Sequence, residues 1–320
     1  MKILWPLFAA ALLCSTLGCV SSSVKAEEYY AMGEAYFNLK KYPEAERWFK
    51  KALGHKKTQA AAEYNLGRSA FELGRYDDAE RYFERILARD PENITALRAA
   101  AYTCIKTGKL DKAEGFYQAV LALAPENADE GYNHALVLMA LGKSGEAEAL
   151  LLKSGMPEGA DALHLLARAQ KEQGKPEAVD TYKACLSRRN REDIRFEYAE
   201  VLEAGEFYAK ALEEYRGVLR KIEGTADSPD TLPADTGDGG SYAIPEVPLV
   251  LFRIARVLLI ADPNDPAGSD AFSKALDGGY NDQAELDKLI ARLPEAKRGP
   301  LSALRAEKQR QDGGAAAGEP

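Results

Sequence analysis

The side chains that could do chemistry are few, and each lacks the partners that the chemistry needs. Asp235-Thr236-Gly237 could place a carboxylate to activate water, but an acidic segment precedes it instead of the apolar strand that such a site requires. Ser22 and Lys25 have the spacing of a serine nucleophile and a lysine base, but no pocket-forming residues surround them. The three histidines and four cysteines are too few for a rich metal site. We therefore expect no catalytic residue, no metal and no cofactor.

The overall composition favours a globular chain and excludes several classes of function. Of the 320 residues, 46% are apolar and 29% are charged, which is typical of a folded protein. The chain has 42 Lys and Arg against 50 Asp and Glu, a net charge of −8. Nucleic-acid binding normally needs a basic surface, so we expect no nucleic-acid partner.

The N-terminus has the features of an export signal. Lys2 precedes an almost wholly apolar stretch over residues 3–17, which is shorter than the ~20 residues needed to span a bilayer. Gly18 and Cys19 follow, and a run of serines comes soon after. A small residue, a cysteine and a serine-rich continuation resemble the lipobox of bacterial lipoproteins, although Thr16 stands where that family usually has Leu.

This resemblance implies a signal peptide over residues 1–18, acylation of Cys19 with a fatty acid such as palmitate, and a tether over residues 19–25. Position 20 is Val20 and not the Asp that commonly retains such proteins at the inner membrane. We therefore expect an exported protein on the periplasmic face of the bacterial outer membrane. The alternative is an ordinary signal peptide, which would leave a soluble periplasmic or secreted protein.

Residues of matching size recur every 34 positions along the chain. Two sets consist of small residues. The first comprises Gly33, Gly67, Ala101 and Ala135, and the second comprises Ala45, Ala79, Ala113 and Ala147. A third set is large and comprises Phe49, Phe83, Tyr117 and Leu151. This period, with phrases such as Tyr64-Asn65-Leu66-Gly67 and Tyr76-Asp77-Asp78-Ala79, resembles the tetratricopeptide repeat, a pair of antiparallel helices.

The resemblance predicts an all-α fold, a right-handed α-solenoid of about seven helix pairs with a C-terminal capping helix. We expect about six pairs over residues 26–223, an acidic Gly/Pro/Asp loop over 224–248, a seventh pair over 249–278, capping helices over 279–311 and a disordered tail over 312–320. The acidic loop should be the first site of limited proteolysis. We also expect Cys104 and Cys185 to be buried free thiols, and His134 to be a core histidine with its hydrogen bonds satisfied.

In tetratricopeptide arrays the first helix of each pair lines a concave groove, so the resemblance implies a binding surface. Carried over to this sequence, the groove residues of the first four pairs are Tyr30, Tyr64, Arg68, Arg98, Tyr102 and Tyr132. Arg68 and Arg98 could together hold a carboxylate, with the tyrosines beside it. The alternative is that the tyrosines pack between repeats and the arginines are only solvated.

These observations favour a non-enzymatic envelope lipoprotein that acts as a scaffold for protein or peptide partners. Its membrane contact would be the N-terminal lipid anchor, and self-association into a homo-oligomer is a further expectation. The alternative function is a ligand- or lipid-binding accessory subunit of a periplasmic transport system. The sequence contains no local motif that selects a particular envelope system.

Overall fold

The computed structural model describes residues 25–54, 58–153, 159–226 and 244–316. The predicted signal peptide, Cys19 and the central residues 227–243 of the predicted acidic loop lie outside these ranges. Within them, every regular element is an α-helix. The helices are α1 (25–38), α2 (Tyr42–Ala52), α3 (Gln59–Glu72), α4 (Tyr76–Leu87), α5 (Ile94–Lys106), α6 (Leu110–Leu123), α7 (Ala128–Ala140), α8 (Ser144–Lys153), α9 (Ala160–Glu172), α10 (Ala178–Arg188), α11 (Glu192–Ala204), α12 (Tyr208–Ala226), α13 (Val247–Ala261), α14 (Pro266–Asp277), α15 (Gln283–Arg292) and α16 (Glu295–Ala316).

The chain divides into two compact units, Met1–Pro157 and Glu158–Pro320. In the first unit, α3 packs on α4, α5 on α6 and α7 on α8, and each such pair also packs on the next through α2–α3, α4–α5 and α6–α7 contacts. In the second unit, the same alternation runs from α9 to α14. These stacked neighbouring helix pairs confirm the predicted all-α solenoid class of fold.

The spacing of small and large residues forms the pairs because it lets the two helices of a pair approach closely. A Cβ atom added to Gly33 would lie 2.5 Å from the Phe49 ring, and one added to Gly67 would lie 2.6 Å from the Phe83 ring. Both rings are buried. Gly33 and Gly67 therefore leave the space that the phenylalanine ring of the paired helix occupies.

Capping residues start several of the groove-forming helices where the sequence repeats a Pro-Glu-Asn phrase. The Asn93 side chain accepts a hydrogen bond from the Ala96 amide at 3.0 Å, at the start of α5. Asn127 does the same for the Glu130 amide at 3.2 Å, at the start of α7. Each cap satisfies an amide that has no partner inside its helix, which fixes where the helix begins.

A ladder of buried carboxylates joins successive pairs of the first unit. Its members follow the small residue of the second helix, and they are Glu46, Glu80, Glu114 and Glu148. Lys109 donates to Glu80 at 2.7 Å and Lys143 to Glu114 at 2.8 Å, each from the turn of the following pair. Arg75 pairs with Glu46 in the same way. The ladder therefore links each pair to the turn of the next.

The second unit shows where the predicted boundaries and the observed helices differ. Helix α12 continues through residues 224–226, which we predicted to belong to the acidic loop, and α13 already begins at Val247. Residues 312–316, predicted to be disordered, form the end of α16. The predicted seventh pair corresponds to α13 and α14, where Phe272 is fully buried. Leu286, Leu289 and Ile290 give α15 a buried face.

Candidate interaction surface

The predicted groove residues lie on the first helix of each pair in the first unit. Tyr30 is on α1, Tyr64 and Arg68 are on α3, Arg98 and Tyr102 are on α5, and Tyr132 is on α7. Four of the six line one depression of about 280 Å³ between α3 and α5, namely Tyr64, Arg68, Arg98 and Tyr102. Its other lining residues are Phe71, Glu72, Phe83, Ala99 and Thr103. We call this depression the α3–α5 cleft.

Arg68 lies in the cleft with its guanidinium held in position by neutral groups. Its Nη1 donates to the side-chain oxygen Oδ1 of Asn65 at 3.1 Å, and the guanidinium carbon is 4.3 Å from the centre of the Phe37 ring. The side chain is exposed, and its contacts in the described part of the chain are with Asn65 and with the rings of Phe37 and Tyr64, without an ion pair to a carboxylate. Arg68 can therefore present an oriented positive charge to an incoming acidic group.

Arg98 is less available than the sequence predicts. Its Nε lies 2.6 Å from a carboxylate oxygen of Glu130, which is buried at the start of α7. The other Glu130 oxygen has no hydrogen-bond partner in the described part of the chain. Arg98 therefore neutralises a buried acid of the next pair, and the predicted two-arginine site has only one arginine without a carboxylate partner.

The tyrosines Tyr30 and Tyr64 are half-buried and pack on aromatic rings of their own helix pairs. Tyr64 packs on Phe83 with ring centres 5.7 Å apart, and Tyr30 packs on Phe49 at the same distance. The Tyr30 hydroxyl also accepts a hydrogen bond from Asn65 at 2.8 Å. Burial, with the neighbouring Glu34 carboxylate, raises the pKa of Tyr30. These two tyrosines contribute to the core as well as to the groove.

Tyr102 is the most accessible aromatic residue of the cleft. It is 48% exposed, and its ring lies 5.2 Å from that of Phe71, centre to centre. Lys106 lies over the same ring at 5.3 Å. Leu136, at the equivalent place on α7, is 41% exposed, while Tyr132 is half-buried and does not line the cleft. The accessible part of the surface is therefore Arg68, Tyr102 and Leu136.

In the second unit, the corresponding helix faces are filled by ion pairs. Acids on α11 meet cations of α9 and α13: Lys171 and Arg253 contact Glu200 at 2.5 and 2.8 Å, and Arg256 contacts Glu203 at 2.5 Å. His164 lies 2.7 Å from Glu197 on the same α11 face. Sequence reasoning missed this network, although the signal is present as acids three residues apart on α11.

Three buried side chains of reactive types lie outside the cleft in the described part of the chain. Cys104 and Cys185 are buried and free, as predicted, and burial raises the pKa of each thiol to about 11. His134 is in the core, but the expectation that its hydrogen bonds are satisfied is wrong. Neither ring nitrogen has a partner in the described chain, and burial lowers its pKa. His134 instead packs parallel to the Tyr117 ring.

The described residues meet the requirements of neither a metal site nor a membrane span. No group of three or more His, Cys, Asp or Glu side chains in this part of the chain is placed to hold a metal ion. Of the helices described, none combines the length and the apolar character needed to cross a bilayer.

The stacked neighbouring helix pairs place this chain among the helical-repeat proteins. Two tetratricopeptide repeat family models match it, over residues 26–92 and 64–128. Residues 26–128 of the chain therefore consist of tetratricopeptide repeats. Among curated proteins, the sequence search found no match.

Solved structures show a similar fold. A tetratricopeptide repeat protein from Parabacteroides merdae is 19% identical with a TM-score of 0.54, and the alignment covers 84% of this chain and 98% of that one. A crystal structure of MamA is 21% identical with a TM-score of 0.48, and the alignment covers 51% of this chain and 91% of that one. MamA from Desulfovibrio magneticus is 20% identical with a TM-score of 0.47, covering 51% and 94%. At these identities the likeness concerns the fold alone.

Proposed function

We propose that this protein is a non-enzymatic scaffold of the bacterial cell envelope. It is anchored by a lipid on Cys19 and binds protein partners through the first unit. Tetratricopeptide repeats are interaction modules, and the lipobox-like sequence around Cys19 supports an envelope location. The outer membrane is the location that Val20 favours.

One observation carries the assignment of binding to the first unit. The α3–α5 cleft presents Arg68 without a carboxylate partner beside the exposed Tyr102. The cations of α13 in the second unit already contact acids of their own unit. A partner gains more from a charge that is unpaired before binding than from one that must first leave its own ion pair. Tyr and Arg are also the side chains most enriched at interface hot spots.

The chemistry of the cleft indicates the kind of segment that it binds. A carboxylate suits Arg68, and the aromatic lining of the cleft suits an apolar or aromatic side chain. We therefore propose a peptide segment of an envelope protein that carries an acidic residue next to an apolar one. A depression of this size holds a side chain or two, in line with a protein partner.

The test of this binding site is a paired substitution on accessible residues. Arg68→Ala with Tyr102→Ala should reduce recovery of partners from detergent-solubilised membranes and leave the melting temperature unchanged. Arg98 is kept, because its removal would leave Glu130 buried and unpaired. Arg168→Ala is the matched control, since Arg168 is equally accessible and lies in the second unit. Unchanged recovery with the double variant would refute the cleft as the binding site. A retained small molecule seen by native mass spectrometry would favour the transport alternative.

The anchor has its own test. Cys19→Ser should abolish incorporation of labelled fatty acid and leave either an unprocessed precursor or a soluble product. Wild-type protein should be found in the outer-membrane fraction. Recovery of wild-type protein wholly in the soluble periplasmic fraction would contradict the proposed anchor.

A further inference from the structure

Successive helix pairs of the first unit share a fixed interface. Leu66 on α3 and Tyr82 on α4 pack into the core of the preceding pair, around Phe49. Phe116 on α6 packs in the same way against the cluster around Phe83. One face of each pair is therefore built to be covered by the pair before it.

The first described pair, α1 and α2, carries this face without a helix pair on it in the described chain. Met32 occupies the place of Leu66 and Trp48 that of Tyr82, each 34 residues earlier. Leu66 is fully buried, whereas Met32 is 41% exposed. Trp48 remains half-buried. Terminal repeats usually carry a polar outer face, and this one is apolar and aromatic.

A tyrosine and a lysine complete the surface. The ring centres of Tyr29 and Trp48 are 5.8 Å apart. The Lys51 ammonium nitrogen lies 3.9 Å from the centre of the Trp48 ring and 5.6 Å from that of Tyr29. We call Tyr29, Met32, Trp48 and Lys51 the end face. Trp and Tyr with a long cationic side chain are the residues that favour the boundary between lipid and water.

We propose that the end face lies in the headgroup region of the bilayer, so that the array stands on the membrane by its first pair. This inference rests on the proposed acylation of Cys19. Lys25, where the described chain begins, is the sixth residue after Cys19, and six extended residues span at most ~20 Å. Tyr29 lies about one helical turn further on. An acylated Cys19 therefore keeps the end face within reach of the lipid headgroups.

Two other occupants fit this surface less well. A two-fold contact with a second copy would bring two Lys51 ammonium groups into one small patch, and like charges oppose that contact. An uncleaved leader could also cover the face, but cleavage before Cys19 would remove it. A bilayer accepts the aromatic rings and the Met32 side chain while the lysine reaches the phosphates.

Tryptophan fluorescence tests this inference directly, because the chain has two tryptophans, Trp5 and Trp48. In a Trp5→Phe chain, Trp48 is the single emitter whether or not the leader is removed. Vesicles of phosphatidylethanolamine and phosphatidylglycerol with bromine near the top of the acyl chains should quench its emission and shift it to the blue. A chain with Trp5→Phe, Trp48→Phe and Leu123→Trp is the control, and its emission should stay unchanged, since α6 is in the third pair.

The outcomes separate this inference from the proposed anchor. Protein that floats with the vesicles while Trp48 emission is unchanged overturns the end-face proposal and leaves acylation standing. Quenching in the Cys19→Ser chain supports the end face, with or without acylation. Protein that neither floats nor is quenched contradicts both. A dimer of the Cys19→Ser chain that is lost in Trp48→Ala would assign the end face to a second copy and overturn the bilayer contact.

Discussion

At the scale of single residues, the close approach of paired helices depends on glycine facing phenylalanine. Gly67→Ala should lower the free energy of unfolding by about 1–3 kcal/mol, because the new methyl group would enter the Phe83 ring. Gly115→Ala on α6 is the matched control, since nothing lies within 4 Å of its added Cβ. Gly115→Ala should increase the free energy of unfolding by about 0.5–1 kcal/mol, because alanine has the higher helix propensity. Chemical denaturation of both variants measures the difference, and equal effects would contradict the packing account.

Glu80 shows how a residue of the carboxylate ladder links stability to pH. Burial alone would raise its pKa, but hydrogen bonds from Lys109 and Lys112 outweigh burial and lower it. A carboxyl whose folded-state pKa is depressed stabilises the fold above its unfolded-state pKa. That stability is lost as the pH falls through the folded-state pKa.

Glu80→Gln should therefore lower stability near pH 7 by about 1–2 kcal/mol, and the difference from wild type should shrink as the solution is acidified. Glu84→Gln is the control, because Glu84 also contacts Lys112 but is exposed. Urea unfolding between pH 7 and pH 3 measures both. If the loss of unfolding free energy in Glu80→Gln stays constant over this pH range, the charge of Glu80 is not what stabilises the fold.

At the scale of elements, each turn between the paired helices of the first unit contains a residue with a left-handed backbone conformation. Gly74, Gly108 and Gly142 have φ values of 72° to 73°, which glycine adopts without strain. Lys40 occupies the same place in the first pair with φ 57°. Lys40→Gly should increase the free energy of unfolding by about 1 kcal/mol, because glycine adopts this φ without strain, and so should raise the melting temperature. Lys40→Ala, which keeps a Cβ atom at the same φ, should bring no such gain. Equal stabilisation by Lys40→Ala would mean that turn conformation is not the cause.

The helix pairing could be predicted from the sequence because the period of small and large residues is a direct consequence of packing. The helix ends could not all be predicted. Gly224 suggested a loop, but one glycine inside a helix costs only about 1 kcal/mol, and α12 continues past it. The strength of neighbouring contacts, which a local pattern does not report, decides where such a helix ends.

The candidate site was predictable only in part, because ion pairs join residues of different repeats. The 34-residue period placed Tyr64, Arg68, Arg98 and Tyr102 on one surface, and they line one cleft. The period did not show that Arg98 on α5 pairs with Glu130 on α7, which is the first helix of the following pair. A signal was available, since Glu130 stands where the two preceding repeats have Ala62 and Ala96, although the first repeat also has an acid there, Glu28.

At the scale of the whole molecule, the two units differ in how their charges are used. Cations of α9 and α13 pair with acids of α11 within the second unit. In the described part of the first unit, Tyr102 and Leu136 are exposed and Arg68 has no carboxylate partner. This difference is the reason for the proposal that partners bind to the first unit.

Photocrosslinking in living cells tests that assignment most directly. Benzoylphenylalanine should be introduced in place of Tyr102, and in a separate strain in place of Leu152, which is 60% exposed in the first unit and does not line the cleft. Irradiation should give a discrete covalent adduct with a protein partner from position 102, and this adduct should disappear when Arg68→Ala is added. An adduct from position 152 alone, or an adduct from position 102 that Arg68→Ala leaves unchanged, would contradict the account.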